Sequence, residues 1–128
     1  MRKEAIICIV LIMIIIIGNI ITQNYAEKTI NTLTEELEKI RIDILDEKKE
    51  KDIDKNMEEI IEKWDKKHEK LAYFIEHNEL ERIEINLIGM KSYIRDMEKT
   101  EAVSKIEETK FLLENLEKKY KIHLENIF

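Results

Sequence analysis

His68, His77 and His123 are the side chains in this 128-residue chain best suited to ligate a metal or move a proton. Asp65 stands three positions before His68, and Glu81 stands four after His77. On a helix either pair shares a face. A divalent ion needs such a pair plus further ligands. A di-iron bundle needs two Glu-x-x-His pairs and two more inward carboxylates, and no Glu-x-x-His pair occurs here. With 28 Asp and Glu in the chain, isolated carboxylate–histidine spacings arise by chance. The expectation is no metal and no cofactor, with these histidines at the surface or near helix caps.

Nucleophilic chemistry has less support. Cys8 lies inside an apolar run and has no second cysteine to pair with. It sits near the start of that run with Ile7 before it, which is not the setting of a lipoprotein acceptor. Ser92 and Ser104 lack glycine-rich surroundings, and nothing resembles a phosphate-cradling loop. A paired-carboxylate site cannot be located among so many acids. The expectation is that this is not an enzyme. Trp64 with Tyr73 and Phe74 offers either a ligand patch or core packing, and the helical spacing favours core. Asn126, Ile127 and Phe128 close the chain. Ile127 and Phe128 are expected to dock on the bundle or the membrane surface. Capture of the C-terminal carboxylate by a partner is the sharper alternative.

Composition decides what must carry these residues. There is no proline and there are two glycines, Gly18 and Gly89, which argues against a turn-rich β fold. Charged residues make up 39% of the chain, mostly Glu and Lys, as in long solvated helices. The net charge is −6, and the densest basic run, Lys48-Lys49-Glu50-Lys51, is flanked by Asp46, Glu47 and Asp52. A phosphate-binding surface needs a clustered positive patch, so nucleic acid is not an expected partner.

Ala5 to Ile21 contains ten isoleucines and no charge. Seventeen residues of helix span about 26 Å, slightly less than a hydrocarbon core, and Thr22 extends the run. A cleaved signal peptide competes with a retained anchor. The apolar run exceeds a usual signal core, and Asn24-Tyr25-Ala26 is a poor cleavage site, so an anchor is expected. Arg2 and Lys3 precede the run and only Lys28 follows it closely. The positive-inside rule then puts the N-terminus in the cytoplasm. The expected division is residues 1–4 as a short cytoplasmic tail, 5–22 as the transmembrane anchor in lipid, and 23–128 as an extracytoplasmic helical bundle.

Beyond the anchor, apolar residues recur at three and four positions. Ile30, Leu33, Leu37, Ile40 and Ile44 form one stripe, on a helix continuous with the anchor to about residue 48. Asp46 to Asp52 reads as a solvated turn, with a recognition loop as the alternative. A second stripe uses Ile53, Met57, Ile60, Trp64, Leu71 and Ile75, and a third uses Leu80, Ile83, Leu87, Met90, Ile94 and Met97. The five-residue step from Ile75 to Leu80, with Asn78 and Glu81 at capping-box spacing, places a boundary near His77–Asn78. One long helix with a phase slip is the alternative. Thr100 is expected to cap a fourth helix, with a stripe of Val103, Ile106, Leu113, Leu116 and Tyr120, then Leu124 or Ile127. The fold expected is all-α: an N-terminal transmembrane helix followed by an antiparallel up-down bundle of about four long helices. The stripes fill two positions in seven, which suits coiled-coil-like pairing, so a protein partner or self-association through the seams is expected.

The chain resembles an uncharacterised bacterial family, domain of unknown function 4363. The resemblance rests on the anchor, Trp64, His77-Asn-Glu-Leu-Glu-Arg-Ile83, Lys91-Ser-Tyr-Ile-Arg-Asp96 and Glu125-Asn-Ile-Phe128. Aspartate is expected in that family where Glu81 stands here, a mild departure that weakens a special role for Glu81; Trp64, His77, Asn78, Glu81, Asn126, Ile127 and Phe128 are the structural or interaction candidates. The resemblance implies an anchored helical protein of low-GC bacteria and supplies no catalytic residues. The functional expectation is a membrane-tethered extracytoplasmic interaction module, an accessory or assembly partner of another membrane or envelope protein. An extracytoplasmic sensor acting through a partner is the alternative, since only a few residues would face the cytoplasm.

Overall fold

The computed structural model describes residues 2–73 and 75–127, with side chains described as far as Tyr120. Among these residues there are four helices: α1 Arg2–Leu45, α2 Glu50–Leu71, α3 His77–Arg95 and α4 Lys99–Ile127. They stand as a square, with α1 and α3 each packed on both α2 and α4. Cross-helix pairs show that neighbours run antiparallel. Along α1 and α4, Arg41 meets Glu107 while Glu38 meets Lys110. Along α1 and α2, Glu36 meets Lys63 while Tyr25 lies under Lys70. In each case one partner's number rises as the other's falls. The expected all-α up-down bundle is the observed fold.

The stripes read from the sequence build one core, except that Met97, expected in the third, lies past the end of α3 and is exposed. Ile30, Leu33, Leu37, Ile40 and Ile44 of α1 are buried against Ile53, Met57, Ile60, Trp64 and Leu71 of α2. Leu80, Ile83, Leu87, Met90 and Ile94 come from α3, and Ala102, Ile106, Leu113 and Leu116 from α4. Each large apolar side chain removed from water contributes about 1.5–3 kcal/mol. On α4 the seam is rotated slightly from the expected one. Ala102 and Thr109 occupy it, while Val103 and Tyr120 are half-buried. Thr109 fits there because its hydroxyl bonds back to the Lys105 carbonyl at 2.8 Å. The side chains of Leu124 and Ile127 lie outside the described residues.

Helix boundaries differ in detail from the sequence reading. α1 stops at Leu45, not near residue 48. α2 and α3 are separate helices joined through residues 72–76. Asn78 and Glu81 do not form a capping box, because the cap of α3 is Glu76 and carries no side-chain bond. Thr100 is likewise inside α4, whose first bond runs from Ala102 N–H to the Glu98 carbonyl. Both helices start two residues earlier than the local chemistry suggests, because the Glu76 and Glu98 carbonyls already accept the first helical bonds, from Leu80 and Ala102.

α1 is about 66 Å long. Its second half is a wall of the bundle, with buried residues from Ala26 onward. Its first half is apolar, and none of its apolar run is buried among the described residues. By length and composition that half can cross a membrane. The bundle thus has a proximal end beside this run and a distal end at the α1–α2 and α3–α4 turns.

Candidate functional site at the distal turns

The two distal turns are copies of one structure. After α1, Glu47 N–H bonds the Ile44 carbonyl and Lys48 N–H bonds the Asp43 carbonyl. After α3, Met97 N–H bonds the Ile94 carbonyl and Glu98 N–H bonds the Tyr93 carbonyl. Each is a Schellman cap, whose penultimate residue takes the left-handed conformation. Glycine is usual there, yet Glu47 has φ 55° and Met97 has φ 59°. A side chain in that conformation costs about 1–2 kcal/mol.

Between these turns lies a cleft of about 380 Å³. Ile44, Ile53, Ile94 and Ala102 form its buried floor, and Tyr93 and the exposed Met97 form a wall. Lys48, Lys49 and Lys99 line its rim with Glu47 and Glu50. Lys99 lies 3.7 Å from Glu47 across the two turns, and Lys48 lies 3.0 Å from the buried carboxylate of Asp43. The cleft holds no histidine, cysteine or serine. An apolar floor with a charged rim suits an aliphatic or aromatic group carried on a polar molecule.

The residues singled out from the sequence do not gather there. Trp64 is core, 3% exposed, with its indole edge-to-face on His68 at 6.5 Å and its Nε1 without a hydrogen-bond partner. Tyr73 does not join that core; it is 89% exposed because Leu71 and Ile75 turn inward and leave it outward. Phe74 lies outside the described residues. His77 and Glu81 approach to 3.9 Å on the exposed face of α3, and Asn78 is exposed beside them. Among the described residues no three His, Cys, Asp or Glu side chains are placed to hold one metal ion. The side chains of His123, Asn126, Ile127 and Phe128 lie outside the described residues.

The proximal end carries its own polar cluster. The Tyr120 hydroxyl accepts from Glu76 N–H at 3.1 Å and donates to Glu79 at 3.3 Å. Lys119 donates to the same Glu79 carboxylate at 2.9 Å. Burial pushes the Tyr120 hydroxyl above its ordinary pKa, and the bond to Glu79 raises Lys119. Midway along the α1–α4 face, the bond from Lys110 holds Glu38 below its ordinary value.

Neither the distal caps nor the Tyr120 contact has a sequence signal. A helix stop without glycine or asparagine leaves no mark, and Tyr120 lies 44 residues from Glu76. Residues 20–127 match the model of a family described as Domain of unknown function (DUF4363). No curated protein and no solved structure matches the chain.

Proposed function

The chain belongs to the DUF4363 family, and from that premise we propose a membrane-tethered extracytoplasmic helical interaction module, an accessory or assembly partner of another membrane or envelope protein that performs no catalysis itself. The observation that carries this reading is α1. It is one uninterrupted helix whose apolar half is unburied among the described residues and whose other half is a wall of the bundle. Residues 5–22 sit in lipid, and Arg2 and Lys3 hold the N-terminus on the cytoplasmic side. The helix then holds the distal cleft away from the bilayer, where a partner's apolar side chain can enter it.

The test places a photo-crosslinking residue at Met97 in the tagged full-length protein, in its own membranes, and a control at Lys66, exposed far along α2. The expected result is one reproducible, stoichiometric second protein joined at position 97 and not at 66. Recovery of the chain alone at both positions would remove the partner reading.

The volume of the cleft favours a second reading, a ligand-binding sensor that acts through a partner. Its size falls within the range of small-molecule sites. A small molecule that raises the melting temperature of the full-length protein, with the effect lost in Met97→Glu, distinguishes it.

A further inference from the structure

We infer that the turn joining α2 to α3 is a second membrane contact, with Tyr73 seated in the lipid headgroup layer of the bilayer that α1 crosses. This rests on reading residues 5–22 as a membrane span. The argument is one of level. Tyr25 follows the apolar run by four residues, about 6 Å along an unbroken helix. A headgroup layer is about 5–7 Å deep, so Tyr25 stands within it. Lys70 Nζ lies 5.7 Å from the centre of the Tyr25 ring, which brings the end of α2 to the same height. α2 runs antiparallel to α1, so the chain beyond Lys70 continues toward the apolar run.

The turn is built to present an aromatic ring there. Leu71 is 0% exposed and Ile75 is 3% exposed, and Ile75 N–H bonds the Leu71 carbonyl at 2.9 Å. Both ends of the turn are therefore pinned in the core. Tyr73, between them, is 89% exposed, more than any bare isoleucine of the apolar run. A fixed, outward tyrosine at headgroup height matches the place where such rings are favoured, their faces apolar and their hydroxyls wet. Lys70 lies in the last turn of α2, and a long cationic side chain suits that layer also. Two contacts instead of one stop the bundle from turning about α1 and fix which way the distal cleft faces.

The experiment uses the full chain in phospholipid vesicles, with Cys8→Ser and a single new cysteine carrying an environment-sensitive fluorophore. Ile14→Cys reports the span, Lys49→Cys the distal turn and Tyr73→Cys the proposed contact. The expected result is strong quenching by headgroup-nitroxide lipid at position 73 and little by iodide, with the reverse at position 49. Quenching at 14 by chain-nitroxide lipid, with position 73 behaving like 49, overturns the second contact and leaves the anchor standing. Absence of lipid quenching at 14 overturns the anchor, and the second contact with it.

Discussion

The hydroxyl of Tyr120 accepts the backbone N–H of Glu76 at 3.1 Å, so the last described side chain of α4 caps the start of α3 from 44 residues away. It then donates to Glu79 in the first turn of the same helix. The first bond satisfies the N-cap N–H that an N3 side chain takes in a local capping box, and Glu76 itself makes no side-chain cap. Tyr120→Phe keeps the ring and removes both bonds. It is expected to lower the stability of the detergent-solubilised protein by about 1 kcal/mol in a denaturant titration. Hydrogen exchange should quicken first at Glu76 to Leu80. An unchanged midpoint would show that water replaces the tyrosine at no cost.

The distal turns give a prediction of opposite sign. Glu47 and Met97 hold left-handed backbones that glycine adopts without strain. Glu47→Gly loses an ion pair to Lys99 at 3.7 Å, but that pair is exposed and contributes little. Glycine also gains freedom in the unfolded chain, which offsets part of the relief. Each substitution is expected to raise stability by about 0.5–1 kcal/mol. The two should add, since they lie in different turns. Loss of stability in either variant would mean that the cap is not under strain.

The stripes were legible because burial obeys the helical period. Leu37, Ile60, Leu87 and Ile106 were all marked by spacing and are all buried. What was not legible depends on chain segments that meet only in the fold. Local chemistry points to Asn78 and Thr100 as the caps of α3 and α4, whereas the helices start earlier, from Glu76 and Glu98. The distal cleft exists because two turns remote in sequence lie side by side. Tyr73 reads as part of an aromatic group with Trp64, and only the inward turn of Leu71 and Ile75 separates them.

Protonation at the proximal cluster sets an alkaline limit. Tyr120 and Lys119 both have pKa values raised above their ordinary ones, the first by burial and the second by its bond to Glu79. A raised value in the folded state means that folding favours the protonated form. Their contribution is complete below about pH 10 and is lost as pH rises through the raised values. Glu38 is lowered by its bond from Lys110, so its contribution is present above about pH 4.3 and is lost as pH falls. The denaturation midpoint should therefore fall on both sides, as pH rises through the alkaline limit and as it falls through the acid one. Tyr120→Phe should flatten part of the alkaline limb, and Glu38→Gln part of the acid limb. If Tyr120→Phe leaves the alkaline limb as steep as before, the tyrosine is not what titrates there.

Asn86 is the one side chain of α3 whose placement looks costly. It is 4% exposed, on the helix that also buries Ile83, Leu87 and Met90, and its Nδ2 has no hydrogen-bond partner in the protein. A buried donor left unmade costs about 1–3 kcal/mol. Thr109 on α4 is also a buried polar residue, but its hydroxyl is satisfied within its own helix. The two sites therefore predict different outcomes for an apolar replacement of similar size. Asn86→Leu should raise stability by about 1 kcal/mol, by exchanging an unpaired amide for core surface. Thr109→Val removes a satisfied bond and should change stability by less than about 1 kcal/mol. A buried polar side chain can also fix the register of packed helices, at a cost in stability. The amide dispersion of Asn86→Leu in a two-dimensional spectrum reads that directly. A more stable variant with sharp, dispersed signals shows that the amide only burdens the core. A more stable variant whose signals broaden shows that Asn86 holds α3 in one register against α2 and α4. A variant less stable than the parent shows that the amide is paired after all.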